Sequence, residues 1–224
     1  MRQVLTVLAV LTLAAAAASA NWLDDFDAYA PGSINGQGGW QGWDNSAAAA
    51  GVVSGDQALS PTQSQAIFGG ADSVHQYSGY TSGQWTYTAW TYIPSASTGL
   101  TYFILLNTYN DLGPYNWSVQ LPMDLDTNLL NDDMAGGTEN IPLLRDEWVK
   151  LQFDIDLDAN TVVTWYGATL VSTHAWQDGT GANAIAAVDL YANGAEVVYY
   201  DSMSLTPEPA ALALLALGVL LRRR

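Results

Sequence analysis

From residue 21 onward, apolar and polar positions alternate in short runs, and glycine, asparagine, aspartate and serine separate the runs. No window sustains the 3.6-residue spacing of a helix face. The clearest run is Val149–Leu157. There Val149, Leu151, Phe153, Ile155 and Leu157 share one side of a strand, and Lys150, Gln152, Asp154 and Asp156 share the other. Asp158-Ala159-Asn160 supplies the turn to a partner strand at 161–166, and Gly167-Ala168 turns again into 169–173. Trp85–Ile93 is aromatic and β-branched and stops at Pro94, while Leu100–Tyr109 is apolar on both sides, as in a strand covered on both faces. Tyr115–Leu121 places Tyr115, Trp117, Val119 and Leu121 on one side. Further strands are expected at 66–68, 186–191 and 196–205, and the polar, acidic stretch 123–140 is expected to be a long loop. The absence of intervening helices predicts an all-β fold, a two-sheet antiparallel sandwich or jelly roll.

Both ends break this pattern. Met1–Ala20 has Arg2, an apolar run and Ala18-Ser19-Ala20, the marks of a secretory signal peptide, expected as a signal helix at 1–20. At the other end stand Pro207-Glu208-Pro209, an apolar run from Ala210 to Leu221, and Arg222-Arg223-Arg224. This predicts a sandwich domain at 21–206 and a membrane-directed segment at 207–224 with a short hydrophobic helix. The apolar run is shorter than the roughly 20 residues of a full helical span, which suits a processed signal better than a permanent anchor. The arginines should stay cytoplasmic, leaving the domain on the outer side.

Charge sharpens the picture. Four of the six basic residues lie in the end segments, leaving Arg145 and Lys150 against twenty-one carboxylates in the domain, a formal charge of −19. Such a body repels nucleic acid and anionic surfaces, which need clustered Lys and Arg, and it disfavours uronate chains unless a cation bridges them. There is no cysteine, so an exported domain must rely on its core or on bound ions, with no thiol nucleophile or thiolate metal site.

The tail, with its Pro-Glu-Pro triplet, single apolar run and terminal arginines (Pro207, Glu208, Pro209, Arg222, Arg223, Arg224), resembles a PEP-CTERM sorting signal. That resemblance implies a bacterial protein held in the inner membrane, cut by an exosortase-type processing enzyme, and then placed at the cell surface or outside. The body resembles the concanavalin A-like (LamG-type) jelly rolls. The likeness is carried by Asp24-Asp25-Phe26-Asp27 with the Gly38-Gly39-Trp40 loop, the 148–167 hairpin, and the closing Tyr199-Tyr200-Asp201-Ser202-Met203-Ser204-Leu205. This sandwich hosts lectins, hydrolases, lyases and adhesion modules alike.

Two groups of candidate site residues follow. In the last strand Asp201 falls in register with Val197, Tyr199, Met203 and Leu205, where an unpaired carboxylate would be costly. Sandwiches of this type bring first and last strands together, so Asp25 and Asp27 could join Asp201 and backbone carbonyls in an oxygen-only structural Ca²⁺ site; alternatively Asp201 hydrogen-bonds loop amides. Trp40, Trp43, Tyr77, Tyr80 and Trp85 lie in or near glycine- and serine-rich loops. They are candidates for stacking on neutral polysaccharide, and equally for packing the core. The run Asp154, Asp156, Asp158, Asn160 lacks the glycine and glutamate of an EF-hand loop. It has Asp where the paired Glu of retaining β-glucanases stand, so it reads as a solvated strand face. His75, His174, Arg145 and Lys150 are the remaining bases and cations, and no hydrolase, nucleotide or zinc fingerprint is present. Three functions stay open: a non-catalytic envelope or matrix protein that binds neutral glycans, a glycoside hydrolase or polysaccharide lyase on the same fold, or a purely structural surface protein. A cleft with two carboxylates at catalytic separation would favour an enzyme, and exposed tryptophans would favour binding.

Overall fold

The computed structural model describes residues 21–208; the leader at 1–20 and the tail from Pro209 to Arg224, with their expected helices, lie outside the described residues. The strands pair antiparallel in two sheets, the sandwich that the alternation predicts. The nine-stranded sheet holds β1 (Trp22–Asp24), β2 (Gly32–Ser33), β4 (Val52–Ser54), β5 (Ser64–Ile67), β7 (Gln84–Tyr92), β12 (Trp148–Asp156), β13 (Thr161–Tyr166), β14 (Thr169–His174) and β16 (Val198–Pro207). The seven-stranded sheet holds β3 (Trp40–Gly42), β6 (Asp72–Gln76), β8 (Leu100–Thr108), β9 (Asn116–Asp124), β10 (Leu129–Leu130), β11 (Ile141–Pro142) and β15 (Ala187–Tyr191). The last strand closes the fold: β16 pairs with β7 on one side, and on the other with β5 and then β1, where Trp22 faces Leu205.

The alternation in β12 holds residue for residue: Val149, Leu151, Phe153 and Ile155 are buried. Their row meets the inner face of β8 across the sandwich. Phe153 stacks on Phe103, ring centroids 5.0 Å apart and planes 8° from parallel, with Tyr87 and Tyr200 at their edges. Stacked and edge-to-face pairs add about 0.5–1.5 kcal/mol each beyond the area they bury.

Two bulges overturn the expected facing of particular residues. The β8–β9 register shifts near Leu106, so Leu105 faces Val119 while Leu106 faces Trp117. Ser118 is the extra residue, and it turns Trp117 outward (36% exposed) while Val119 stays buried. In β16 the register shifts between Asp201 and Ser204, with Ser202 at φ 46°. Asp201 therefore pairs with Trp90 on the outer side of its sheet, and does not share the inner side with Met203 and Leu205. The stretch 123–140 also departs from a plain loop: β10 and β11 pair as a short hairpin around a 3₁₀ turn at Asp133–Ala135.

Truncating the seam should be costly. Phe153→Ala is expected to lower stability by about 3–5 kcal/mol, read from urea unfolding. Leu170→Ala, on the exposed edge strand β14, should cost under about 0.5 kcal/mol.

Candidate functional site

Most of the aromatic residues singled out in the loops turn inward, for identifiable reasons. The Asp24 carboxylate on β1 accepts from the Phe26 amide (3.0 Å), the Tyr29 hydroxyl (2.7 Å) and the Trp40 indole N–H (2.8 Å). With its one polar atom satisfied, the Trp40 ring packs on Phe26 and His75. The Gly-Gly turn before it permits this. A Cβ on Gly38, at φ 57°, would lie 1.7 Å from the Tyr29 hydroxyl oxygen, and the Gly38 carbonyl accepts from His75 Nε2 at 3.1 Å. Trp85 donates its indole N–H to the Ser82 carbonyl and packs edge-on with Tyr80. Trp40, Tyr80 and Trp85 are 1%, 7% and 5% exposed, so their faces are spent on the interior. Tyr77, half-buried, shares a hydroxyl–hydroxyl bond with Tyr87. His75 lies within this cluster, and burial holds its pKa below the usual value, so it stays neutral. Of the five aromatics, Tyr77 and Tyr80 border a small pocket of about 280 Å³, and Trp43 opens onto a larger groove.

That groove, about 450 Å³, lies on the outer face of the seven-stranded sheet. Trp43, Trp117, Tyr191, Ile104 and Gln120 line it, together with Asp72 and Asp189. The walls are braced. Trp43 packs against Tyr109 and Tyr115 at 4.9 and 4.7 Å. Tyr191 stacks on Tyr102, planes 17° apart. Asp44, at φ 54°, accepts from the Leu112 amide and the Tyr115 hydroxyl, tying the 109–115 loop to the Trp43 turn.

At the base of the groove Asp189 (3% exposed) stands in the middle of β15, between Val74 of β6 and Ile104 of β8. Asp72, opposite Tyr191 on β6, lies beside it on the same face of the sheet and lines the same groove. The Oδ1 atom of each is buried with no hydrogen-bond partner. Burial, and the charge of its partner, push Asp189 well above the usual carboxylate range; burial also raises Asp72, helped by the charge of Asp44. The pair therefore retains one proton where ordinary carboxylates have lost theirs.

The three proposed metal residues gather round one loop. Asp201, fully buried beneath 59–63, accepts from the amides of Leu59 (2.7 Å) and Ser60 (2.9 Å). Asp27 accepts from the amides of Thr62 and Gln63 and from the Thr62 hydroxyl. Its partial burial would raise its pKa, but these bonds outweigh that and lower it. The Asp25 carbonyl faces the Ser60 hydroxyl at 3.0 Å. Among the described residues no three His, Asp or Glu side chains are grouped to hold a metal.

The cations and imidazoles lie elsewhere. Arg145 donates to Asn128 Oδ1 and to the carbonyls of Pro94, Ser97 and Leu125. Lys150 bonds Gln152 on the outer face of the nine-stranded sheet. Asp154 there accepts from Thr86, Gln152 and Trp165, and Asp156 braces the turn at Ala159, as a solvated strand face should. His174 on β14 meets the buried Asp132 at 3.1 Å, and Ser172 donates to the same oxygen.

Asp72, Asp189, Trp117, Tyr191 and Gln120 escaped the sequence reading. Asp189 had a visible signal, a carboxylate inside the apolar run Ala187-Val188-Asp189-Leu190-Tyr191. Its partner, over a hundred residues away in sequence, had none.

No protein-family model matches the chain, and no curated protein matches it. Solved structures do. A sialidase aligns with TM-score 0.60 and 10% identity over 86% of this chain, which spans 19% of that protein's length. The endo-β-1,4-glucuronan lyase of the fungus Trichoderma reesei aligns with TM-score 0.52 and 14% identity, covering 84% of this chain and 96% of that one. The globular domain of T. cruzi calreticulin aligns at TM-score 0.55 and 7% identity, covering 84% and 90%. At these identities the likeness is one of fold. The domain is a jelly-roll sandwich resembling the concanavalin A-like domains.

The His174–Asp132 contact gives a pH signature. Burial alone would lower the His174 pKa, but the bonds to Asp132 and the Ala175 carbonyl outweigh it and raise it. Its stabilising contribution is therefore full below the unfolded value of about 6.5 and is lost as pH rises through the higher folded value. His174→Gln should flatten that loss of stability above about pH 6.5 in thermal melts taken across pH.

Proposed function

We propose that this chain is an exported bacterial cell-envelope or matrix protein whose sandwich binds neutral glycans. The observation that carries the reading is the groove over the seven-stranded sheet, where three aromatic side chains and the polar groups of Gln120, Asp72 and Asp189 converge. Sugar rings offer C–H faces to aromatic rings and hydroxyls to carboxyls and amides. A pocket of apolar walls with a few placed polar groups is the usual form of a small-ligand site. The −19 domain disfavours uronates, and neither Arg145 nor Lys150 lines the groove to neutralise one.

The geometry favours binding over cleavage. Paired carboxyls of retaining glycosidases stand about 5–5.5 Å apart and those of inverting enzymes about 6.5–9.5 Å. Asp72 and Asp189 are side by side on neighbouring strands of one face, and no third carboxyl lines the groove opposite them. His75, the candidate base for a lyase, faces the interior.

Sorting by the Pro207–Arg224 tail, inner-membrane anchoring before processing, and an exosortase-type partner complete the proposal, supported by the tail sequence alone. Among the described residues no helix is long and apolar enough to cross a membrane.

A structural Ca²⁺ belongs to the same proposal. Four acceptor oxygens (Asp25 O, Gln63 O and both Asp201 carboxylate oxygens) lie 3.0–3.3 Å from the single hydroxyl of Ser60. The Asp201 oxygens also accept from the amides of Leu59, Ser60 and Ser202, and with the two carbonyl oxygens beside them they make a set of hard donors of the kind calcium takes.

On a glycan array the purified protein should bind neutral oligosaccharides. Trp43→Ala and Trp117→Ala should each weaken binding by about tenfold, ~1.4 kcal/mol. Uniform affinity across wild type and both variants would place any binding outside the groove. Calcium addition should raise the melting temperature by several degrees, and EDTA or Asp201→Asn should abolish the increment; a melt indifferent to both ends the calcium proposal.

A further inference from the structure

Resting on the reading of the groove as a glycan site, we infer that the Asp72–Asp189 pair determines its specificity: with one shared proton it recognises two adjacent hydroxyls of a neutral sugar, and loss of that proton releases the sugar.

The argument begins with placement. Asp189 lies at the centre of the sheet, its backbone fixed by ladders to β6 and β8, and its flanking side chains on the outer face are Val74 and Ile104. Neither can donate a hydrogen bond, and the Oδ1 atoms of both carboxyls are buried without a hydrogen-bond partner. A single proton between them satisfies both. Without it two like charges would be held in contact on an apolar floor, which is why close carboxyl pairs lose their second proton late. The surroundings reinforce this. Asp44 faces the pair from the 43–45 turn, Tyr191 from β15 and Tyr102 from β8, and Tyr200 lies beneath on β16. Gln41 of β3 and Gln120 of β9 are neutral, and His75 of β6 points to the opposite side. No Lys, Arg or His among the described residues lines the groove to hold the pair in its doubly charged form.

A carboxyl pair that holds its one proton internally offers its remaining oxygens as acceptors in a fixed arrangement. Two neighbouring sugar hydroxyls, each donor and acceptor, complement it. Trp43, Trp117 and Tyr191 are positioned around it to take the C–H faces of the ring. A uronate carboxylate meets negative charge there and is rejected. The doubly ionised pair loses that fixed arrangement, and its mutual repulsion favours water over a sugar.

Isothermal titration of cellohexaose, laminarihexaose, mannohexaose and an oligoglucuronate from about pH 5 to about pH 9 tests this, with wild type, Asp72→Asn and Asp189→Asn. In either variant an amide N–H stands where the shared proton stood. Wild type is expected to bind at least one neutral hexaose and to lose about tenfold in affinity per pH unit above the pair's titration; both variants should bind with a flat pH profile. Wild-type binding that Trp43→Ala removes but pH does not change overturns this inference and leaves the glycan reading standing. Variants that follow the wild-type decline also overturn it, and no binding by wild type at any pH overturns both. Carboxyl ¹³C titration by NMR checks the pair without ligand: two carboxyls that both ionise in the usual range refute the shared proton.

Discussion

The two sheets are held together mainly by apolar contact, and the contact on which the others depend is the Phe103–Phe153 stack with Tyr87 and Tyr200 around it. The chain has no cysteine to clamp the layers. Each sheet must therefore offer an unbroken apolar row to the other, and β12 and β8 do so from opposite sides. That demand sorts the remaining aromatics. Those whose polar atoms find internal acceptors, such as Trp40 on Asp24 and Trp85 on Ser82, join the interior. Trp43 and Trp117, excluded from the seam, shape the outer face.

The two outer faces then diverge in chemistry. The nine-stranded sheet presents Thr86, Gln152, Asp154 and Lys150 as a hydrogen-bonded ladder, each polar group answered by a neighbour. The seven-stranded sheet instead holds two carboxyls side by side, each with a buried oxygen that no donor answers. Strand faces that are internally satisfied resemble ordinary surface; one that stores an incompletely satisfied pair beneath aromatic walls resembles a binding site.

The architecture was legible because strict alternation exposes itself: the row from Val149 to Leu157 could be read without any tertiary information. What the pattern could not disclose were the bulges. An inserted Ser118 and the left-handed Ser202 each invert the parity on which the reading of a strand rests. Trp117 therefore looked buried with Val119, and Asp201 looked like a core carboxylate beside Met203. Asp27 and Asp201 meet on the amides of the 59–63 loop, and the Asp25 carbonyl accepts from its Ser60 hydroxyl, but that loop's own sequence carries no such signal. The groove was least legible. Its carboxyls come from β6 and β15, and only strand order makes those two strands neighbours.

The pairing of β1 with the end of β16 has a mechanical meaning. With Trp22 opposite Leu205, the chain enters and leaves the domain about one strand spacing apart, roughly 4.8 Å. Tension applied between the two ends would part that antiparallel pair one rung at a time, as a zipper opens, and would not load all its hydrogen bonds together in shear. The domain is thus poorly built to serve as a link in a chain under load.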